Sequence, residues 1–280
     1  MAKKEFSFTS WNIGGAQEVA ASGKLWDTRG EILPDIVTSL RTLDSDIVLL
    51  QESHTQLNGQ KRVFAREIAY DLHMPIVYDS PHDPSHLDGR AKGNSEKYSL
   101  SLSTISRIDV VDFRFVALPS PEFPISIQGK EIPKDKQHKK GVTITTLEDG
   151  LTIVNLQLLP GRILGFDYAE GQGLEFAGQV NTALDNEAPE GKELIVCGDF
   201  NYDERGRKPI IQVFPFLANL RQILPNGEPT RFTEDGEEYA NDYFFISEGL
   251  EADHAKVYKE IADKQVKTDH YPLKVVVYKD

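Results

Sequence analysis

Several features are scarce in this chain of 280 residues, and each scarcity excludes a class of protein. Cysteine occurs once, as Cys197, which excludes an internal disulfide and indicates a reducing compartment. Apolar residues form no run of about 18 or more, and no stretch of signal-peptide length lies near Met1. We therefore expect a cytoplasmic protein without a membrane span. No internal repeat or low-complexity segment is present, which argues against a repeat architecture.

Positive charge is also scarce. The chain has 31 Lys and Arg residues against 44 Asp and Glu residues, for a formal net charge of −13. This balance argues against a protein that coats nucleic acid through a broad basic face. It leaves a nuclease open, because an enzyme that binds Mg²⁺ concentrates carboxylates and the ion itself screens the substrate phosphate.

Hydrophobic residues make up 39% of the chain, enough for one large core or two small ones. We predict a single domain over residues 1–280, because the chemistry-bearing residues run from 12 to 270 and must converge to act. Apolar periodicity predicts strands interspersed with helices, and so an α/β fold. The predicted strands are 5–11, 46–50, 74–78, 98–104, 108–116, 142–146, 151–156, 193–198, 242–247 and 271–278; the predicted helices are 31–43, 61–72, 170–185 and 209–219, and a turn-rich loop covers 80–97.

Five short strings place metal-binding or proton-handling side chains beside runs of β-forming apolar residues. Asp, Glu and His delivered from the ends of several strands are what a metal-assisted hydrolase requires. The strings are Trp11-Asn12-Ile13-Gly14, Leu50-Gln51-Glu52-Ser53, Gly198-Asp199-Phe200-Asn201, Asn241-Asp242-Tyr243-Phe244 and Thr268-Asp269-His270-Tyr271-Pro272.

The first two strings favour a hard cation or a phosphate. Glu52 follows the buried run 46–50, and Mg²⁺ takes oxygen ligands that include one or two protein carboxylates. The alternative for Glu52 alone is an ordinary polar residue at a strand end. His54, two residues on, is interpreted as a loop histidine. Asn12 suits a phosphate oxygen or a metal-bound water, and Gly14-Gly15 lets the backbone approach a ligand.

Asp199 and Asn201 lie two residues apart, and an extended segment would aim both side chains the same way. The carboxylate can then orient and deprotonate a water while the amide steadies a phosphate. A calcium-binding EF-hand loop begins similarly but is excluded, because its sixth position is Glu204 rather than Gly and its twelfth is Ile210 rather than Glu.

His270 has two acids available to it. Asp269 precedes it in the chain, and Asp242 arrives from another predicted strand. A carboxylate behind an imidazole fixes its tautomer and stabilises its charged form. His270 can then contact a scissile phosphate or move a proton, and Asp269 can reach a metal through water. These neighbours favour a functional over a structural interpretation of His270.

The order Asn, Glu, Asp-x-Asn, Asp, Asp-His resembles the endonuclease/exonuclease/phosphatase superfamily, which includes DNase I and AP endonucleases, over residues 5–277. The resemblance implies a four-layer α/β sandwich, with two packed, mainly antiparallel sheets flanked by helices. It implies a Mg²⁺-dependent phosphoesterase, with Mn²⁺ as a substitute, in particular a phosphodiesterase or nuclease. By residue it implies Glu52 as metal ligand with Asp269 and Asn12 assisting, and catalytic roles for Asp199, Asn201, His270, Asp242 and Asn12.

Gln157 departs from that pattern. Strand 151–156 leads into a His in many members of the superfamily, but here it leads into Gln157, which donates hydrogen bonds and no proton. Three explanations stay open: a branch that uses another residue, a binding-only relative, or a deliberate exchange of His for Gln. Gln157 and Arg162 are predicted substrate contacts. Lys140 is a further possible phosphate contact, and Arg90 and Lys92 are weaker candidates; for these three a solvated surface charge is the favoured interpretation.

Two other functions stay open on the sequence. One is a phosphomonoesterase or lipid-headgroup phosphodiesterase, and the other is a catalytically weakened relative that binds a phosphorylated ligand or a protein. The expected partner is nucleic acid or a small phosphate ester, and the sequence indicates no required protein partner. Mg²⁺-dependent turnover would separate an enzyme from a binder.

Overall fold

A computed structural model of the chain describes residues 3–19, 28–56, 62–84, 98–127, 129–134, 137–187, 193–225, 227–233, 236–264 and 268–280. In chain order the strands are β1 (Lys4–Asn12), β2 (Gln17–Val19), β3 (Thr28–Glu31), β4 (Ile47–Gln56), β5 (Ile76–Pro84), β6 (Tyr98–Ser106), β7 (Val110–Ala117), β8 (Ser126–Ile127), β9 (Lys130–Glu131), β10 (Gly141–Leu147), β11 (Thr152–Gln157), β12 (Leu194–Asp199), β13 (Leu220–Leu224), β14 (Arg231–Phe232), β15 (Glu238–Tyr239), β16 (Asp242–Ser247), β17 (Glu251–Val257) and β18 (Leu273–Lys279). The helices are α1 (Leu33–Leu43), α2 (Phe64–Leu72), α3 (Gly171–Glu187), α4 (Ile210–Val213) and α5 (Lys259–Lys264), with 3-10 turns at Gly14–Ala16 and Pro215–Leu217.

Two six-stranded sheets share one plan. The first has the order β17-β18-β1-β4-β6-β5 and the second the order β13-β16-β12-β11-β10-β7. In each sheet the two central strands run parallel, whereas the other neighbours are antiparallel. Parallel neighbours end at the same edge of a sheet. The ends of β1 and β4 therefore lie together, and so do the ends of β11 and β12.

Buried apolar residues form three layers of core. The middle layer lies between the sheets and joins, for example, Phe8 and Ile47 of the first sheet to Ile195 and Phe244 of the second. One outer layer packs α1 and α2 against the first sheet. The other packs α3 and α4 against the second sheet. Helices, sheet, sheet and helices thus form the predicted four-layer sandwich, which is confirmed.

Side chains of the central strands alternate between these layers. In β4, Ile47 and Leu49 face the other sheet, whereas Val48 and Leu50 face the helices. Strands with both faces buried are nearly continuous apolar runs, which is why the sequence revealed them. In β12, Cys197 also faces the other sheet, and burial raises the pKa of its thiol to about 12. An uncharged, enclosed thiol is a poor nucleophile.

Three sequence interpretations are corrected. The predicted helix 209–219 is only α4 and a 3-10 turn, because Pro215 lacks the N–H that a continuous helix needs, and the chain then enters β13. His54 lies buried in β4 rather than in a loop. Strand β5 extends into the predicted loop 80–97, and residues 85–97, with Arg90 and Lys92, lie outside the described residues. Within the described ranges, no helix is long and apolar enough to cross a membrane.

Candidate active site

The chemistry-bearing residues lie where the central strands of both sheets end. Asn12 is the last residue of β1, Gln157 of β11 and Asp199 of β12. Glu52 follows the β4 residue that pairs with Asn12. Asp199 pairs with Gln157 on one side and with Asp242 on the other. The two parallel pairs therefore bring residues far apart in sequence to one edge of the sandwich.

A β-bulge sets the direction of Glu52. The pairing of β4 with β6 shifts register between Leu50 and Ser53, and Glu52 has a left-handed φ of 52°. A bulge leaves its extra residue outside the ladder and re-aims that side chain. A left-handed φ in a non-glycine residue costs about 1–3 kcal/mol and is concentrated at functional sites. Glu52 is partly exposed, whereas its neighbours Gln51 and Ser53 are fully buried.

Two amides hold the Asp199 carboxylate. Its Oδ2 accepts hydrogen bonds from Asn12 Nδ2 at 2.9 Å and from Asn201 Nδ2 at 3.0 Å. Its Oδ1 accepts the backbone N–H of Asn201 at 2.8 Å. The predicted extended geometry is wrong here, because Asn201 has a left-handed φ of 49° and its backbone curls around the carboxylate. The two side chains nevertheless meet, as an Asx-type turn allows.

Glycine at position 198 lets β12 reach this edge. Gly198 has a φ of 131°, and a Cβ there would lie 2.0 Å from the carbonyl oxygen of Leu156 on the neighbouring strand. No side chain fits that space. The Gly-Asp pair in the sequence therefore has a packing reason as well as a chemical one, since it sets the position of Asp199.

His270 lies between carboxylates. Its Nδ1 donates a hydrogen bond to Asp242 Oδ2 at 2.8 Å, and its Nε2 lies 4.0 Å from both Asp199 Oδ2 and Asp269 Oδ2. Thr230 Oγ1 donates to the same Asp242 oxygen at 2.7 Å and accepts the backbone N–H of Asp242 at 2.9 Å. This arrangement fixes the ring and directs Nε2 toward Asp199 and Asp269.

The pKa values of His270 and Asp199 are both raised, for different reasons. Burial disfavours the imidazolium, but the carboxylates of Asp242, Asp269 and Asp199 outweigh it and raise the pKa of His270 to about 9. Burial raises the pKa of Asp199 to about 6, and His270 limits that rise. At neutral pH, His270 is therefore a cation that donates from both ring nitrogens beside an ionised Asp199.

Arg231 is a site residue that the sequence analysis missed. Its Nε and Nη2 lie 3.0 Å and 2.9 Å from Asp269 Oδ2. Burial acts to lower the pKa of Arg231, but the charges of Asp269, Asp199 and Glu52 raise it. Arg231 also forms an isolated bridge with the backbone of His270. Only this tertiary pairing places the guanidinium, and no local pattern in the sequence announces it.

The contact with Arg231 affects the pKa of Asp269. Burial would raise its pKa, but Arg231 and His270 hold the pKa of Asp269 below its ordinary value. Its side chain is 26% exposed, more than those of Asp199 and His270. The backbone of Gly14 approaches Asp269 as well, since a Cβ on Gly14 would lie 3.9 Å from Oδ1. Asp269 thus remains ionised at the solvent side of the site.

Gln157 links two charged side chains. Its Nε2 donates to Glu52 Oε1 at 2.7 Å, and its Oε1 accepts a hydrogen bond from Lys140 Nζ at 2.8 Å. Lys140 is only 6% exposed, so its interpretation as a solvated surface charge is wrong. The short connection between the predicted strands 142–146 and 151–156 was the signal that could have revealed this contact, because the register of the resulting hairpin sets Gly141, the residue after Lys140, opposite Gln157.

A buried polar contact joins the sheets beneath the site. Gln51 Nε2 of β4 donates to Asn155 Oδ1 of β11 at 2.7 Å. Asn155 Nδ2 in turn donates to the backbone carbonyls of Leu50 at 3.2 Å and Ser103 at 3.4 Å. Hydrogen bonds between buried side chains favour one relative arrangement of the strands that carry them. This pair therefore fixes the position of the end of β4 relative to β11. That end of β4 carries Glu52.

Arg162 is a largely exposed residue. Its side chain is 71% exposed, with Nη2 at 3.6 Å from Glu237 Oε2 and the guanidinium 4.7 Å from the centre of the Tyr239 ring. Tyr239 belongs to β15, which pairs with the strand that carries Arg231. The role of Arg162 as a substrate contact stays a prediction.

The chain matches a known protein family over most of its length. The model of the Endonuclease/Exonuclease/phosphatase family matches residues 9–270, a range that contains every site residue from Asn12 to His270. The chain belongs to this family. No curated protein sequence matches it.

Solved structures of family members share the fold. An endonuclease/exonuclease/phosphatase from Beutenbergia cavernae has a TM-score of 0.66 at 14% identity, covering 98% of this chain and 71% of that one. The human Nocturnin catalytic domain with bound sulfate has a TM-score of 0.61 at 17% identity, covering 98% and 97%. The 3' phosphatase NExo from Neisseria, bound to a product DNA hairpin, has a TM-score of 0.58 at 17% identity, covering 96% and 98%.

Family members typically use a divalent metal ion, and the donor chemistry of this site fits one. Glu52 and Asp269 offer carboxylate oxygens at the solvent side, the ligand type that Mg²⁺ prefers. Ligand atoms of Asp199, Asp242 and His270 also lie within 4.8 Å of one another. That trio is less suited to an ion, because Asp242 already accepts the Nδ1 hydrogen of His270.

Proposed function

We propose that the protein is a divalent-metal-dependent phosphodiesterase, with Mg²⁺ as its ion and nucleic acid or a small phosphodiester as its substrate. The observation that carries this proposal is the Asp199 carboxylate, fixed by two amides and 4.0 Å from the charged Nε2 of His270. A base and a hydrogen-bond donor this close can act on one phosphoryl group.

In the proposed site, Glu52 holds the ion with Asp269, and Asn12 assists. A bound divalent ion supplies Lewis-acid polarisation of the phosphoryl oxygens and offsets their charge. The bulge at Glu52 keeps this carboxylate in place before an ion arrives. Preorganised ligands lower the cost of binding, because their rotamers are already ordered.

Each residue of the site then has its own role in the hydrolysis. Asp199 accepts the proton of the attacking water, while Asn12 and Asn201 hold its carboxylate in line. His270 donates from Nε2 to a phosphoryl oxygen, where negative charge grows in the transition state. Asp242 keeps His270 charged and correctly rotated, and Thr230 in turn holds Asp242. The P–O bond to the leaving group breaks as the water oxygen attaches, and the leaving oxygen takes its proton from solvent.

Charge favours a diester over a monoester substrate. The site contains four carboxylates and three cations, so a divalent ion would leave one net positive charge. A phosphodiester monoanion neutralises that charge, whereas a monoester dianion exceeds it. The carboxylates are Glu52, Asp199, Asp242 and Asp269, and the cations are Lys140, Arg231 and His270.

Hydrolysis of bis-nitrophenyl phosphate, para-nitrophenyl phosphate, plasmid DNA and an RNA oligonucleotide tests the proposal. We expect Mg²⁺-dependent turnover that chelation abolishes, and faster hydrolysis of the diester than of the monoester. Glu52→Ala should lose Mg²⁺ binding in calorimetry, whereas Asp199→Asn should keep binding and lose turnover. Monoester preference would support a phosphatase, the activity named for the NExo structure. Mg²⁺ binding without turnover of any substrate would indicate a binding-only relative.

A further inference from the structure

The Lys140–Gln157–Glu52 chain of hydrogen bonds has a fixed direction. An ammonium group has only donors, so the Gln157 oxygen must face Lys140 Nζ, at 2.8 Å. The Gln157 amide nitrogen must then face Glu52 Oε1, at 2.7 Å. The orientation of this amide follows from chemistry rather than from a choice between two fits.

Strand pairing fixes the backbone at Lys140. Gly141 pairs with Gln157 on one side and with Ala117 on the other, and Leu118 donates its N–H to the Lys140 carbonyl at 2.9 Å. A Cβ at Gly141 would lie 2.3 Å from the Phe115 ring, so glycine lets the strands close here. Lys140 and Gln157 are 6% and 1% exposed, and water therefore screens their contact weakly.

We propose that Lys140 and Gln157 act as one fixed hydrogen-bond donor, in which Lys140 is a positioning residue and Gln157 contacts the substrate phosphate. Lys140 polarises the amide and prevents it from rotating. One hydrogen of Gln157 Nε2 orients Glu52, and the other faces the substrate and donates to a non-bridging phosphoryl oxygen. This unit stabilises negative charge on the phosphoryl oxygen, and it transfers no proton. The inference rests on the proposed phosphoesterase function.

Double-mutant kinetics test whether Lys140 acts through Gln157. Removing one preorganised donor lowers kcat about a hundredfold, so we expect that loss for Gln157→Met and a loss of about tenfold for Lys140→Met. In the Gln157→Met background, Lys140→Met should cause no further loss, because its target is already gone. Losses that multiply, or an unchanged rate in Lys140→Met, would overturn the proposal.

A matched control separates positioning from folding. Lys279 is also a largely buried lysine, with its Nζ 2.6 Å from Glu193 Oε2, and it lies at the opposite end of the sandwich on β18. Lys279→Met should lower the melting temperature and leave kcat unchanged. A parallel drop of kcat in Lys140→Met and Lys279→Met, in proportion to their loss of stability, would assign Lys140 a merely structural role.

Calorimetry gives a readout that does not depend on turnover. Gln157→Glu keeps an acceptor for Lys140 but replaces the N–H donor with a carboxylate oxygen beside Glu52. We expect Mn²⁺ to bind several-fold more tightly to this variant, and inorganic phosphate with Mn²⁺ to bind about tenfold more weakly. If phosphate binds the variant as tightly as the wild type, the proposal is overturned, even if the wild type hydrolyses no substrate. If both binding constants are unchanged and the wild type is active, the phosphoesterase function stands and only the role of Lys140 and Gln157 is refuted.

Discussion

His270 and Gln157 flank the same site, and each is hydrogen-bonded to a charged side chain. These two charges have opposite signs, and they give His270 and Gln157 different abilities to carry a proton. His270 has the carboxylate of Asp242 behind it at 2.8 Å, and nearby acids raise its pKa to about 9. Gln157 has the ammonium of Lys140 behind it at the same distance of 2.8 Å. A carboxylate beside an imidazole stabilises its protonated form, whereas an ammonium beside an amide only orients the amide dipole. One side of the site can carry a mobile proton and the other cannot.

The largest expected effect comes from removing the anion behind His270. Asp242→Asn keeps the shape of the side chain but lowers the pKa of His270, because the nearest opposing charge is gone. We expect kcat/KM to fall by about a hundredfold or more. In the wild type the ring is charged below about pH 9, so the loss should be larger near about pH 8.5 than near about pH 6.

A pH profile of hydrolysis, with the melting temperature recorded for both proteins, checks this prediction. Thr230→Val serves as a milder control, since it removes only the hydroxyl that donates to Asp242 at 2.7 Å. If the Asp242→Asn loss were the same at every pH, Asp242 would act by holding the ring's position and not by keeping its charge.

The next effect concerns a histidine placed on the other side. Gln157→His by itself should give no gain in turnover, because the Lys140 ammonium beside the ring disfavours a second positive charge. Gln157→His combined with Lys140→Gln removes that repulsion. We expect the double variant to exceed the single one by about tenfold, toward the lower part of the range for general acids. A faster single variant would contradict the role of Lys140 in this comparison.

Arg231 tests how much the site depends on a fixed cation at its solvent side. Arg231→Met releases Asp269 from its contact at 2.9 Å, so its carboxylate becomes available to an ion. We expect Mn²⁺ to bind a few-fold more tightly and kcat/KM to fall about tenfold, because less positive charge meets the phosphate. Calorimetry and initial rates measure the two changes. Weaker Mn²⁺ binding would show that Arg231 holds Asp269 in its binding position.

The smallest effect involves a carboxylate held by hydroxyls alone. Thr55, Ser101 and Ser103 donate to Asp79 at 2.6 Å, 3.4 Å and 2.7 Å, yet burial raises the pKa of Asp79 above its ordinary value of 3.8. An acid whose folded-state pKa is raised contributes stability that is present below its unfolded pKa and is lost as pH rises through the folded one.

Asp79→Asn removes this titration. The variant should therefore gain in melting temperature relative to the wild type as pH rises from about 3 to about 7, by a few degrees at most. Thermal unfolding across that range measures the difference. A difference that stays constant with pH would mean that the hydroxyls compensate fully for the burial of the charge.

Much of the fold could be predicted from local patterns in the sequence. Residues 46–50 and 193–198 are apolar runs because β4 and β12 are covered on both faces, and such runs can be recognised without tertiary knowledge. The prediction of helix 209–219 was wrong because it relied on the spacing of apolar residues and gave too little weight to Pro215, which cannot continue a helix. Lys140 was underrated because the sequence shows a charge and not whether strands enclose it.

The sequence by itself determined which side chains come to the strand ends and, through the order of five strings, the family that the 9–270 match establishes. Only the tertiary structure decided how those side chains are paired. Arg231 meets Asp269 because β14 bridges His270, and Lys140 meets Gln157 because β10 pairs with β11. Pairing energies depend on distance and burial, which arise from contacts between segments far apart in the chain. The chemistry of each residue is therefore local information, whereas its charge state and orientation are not.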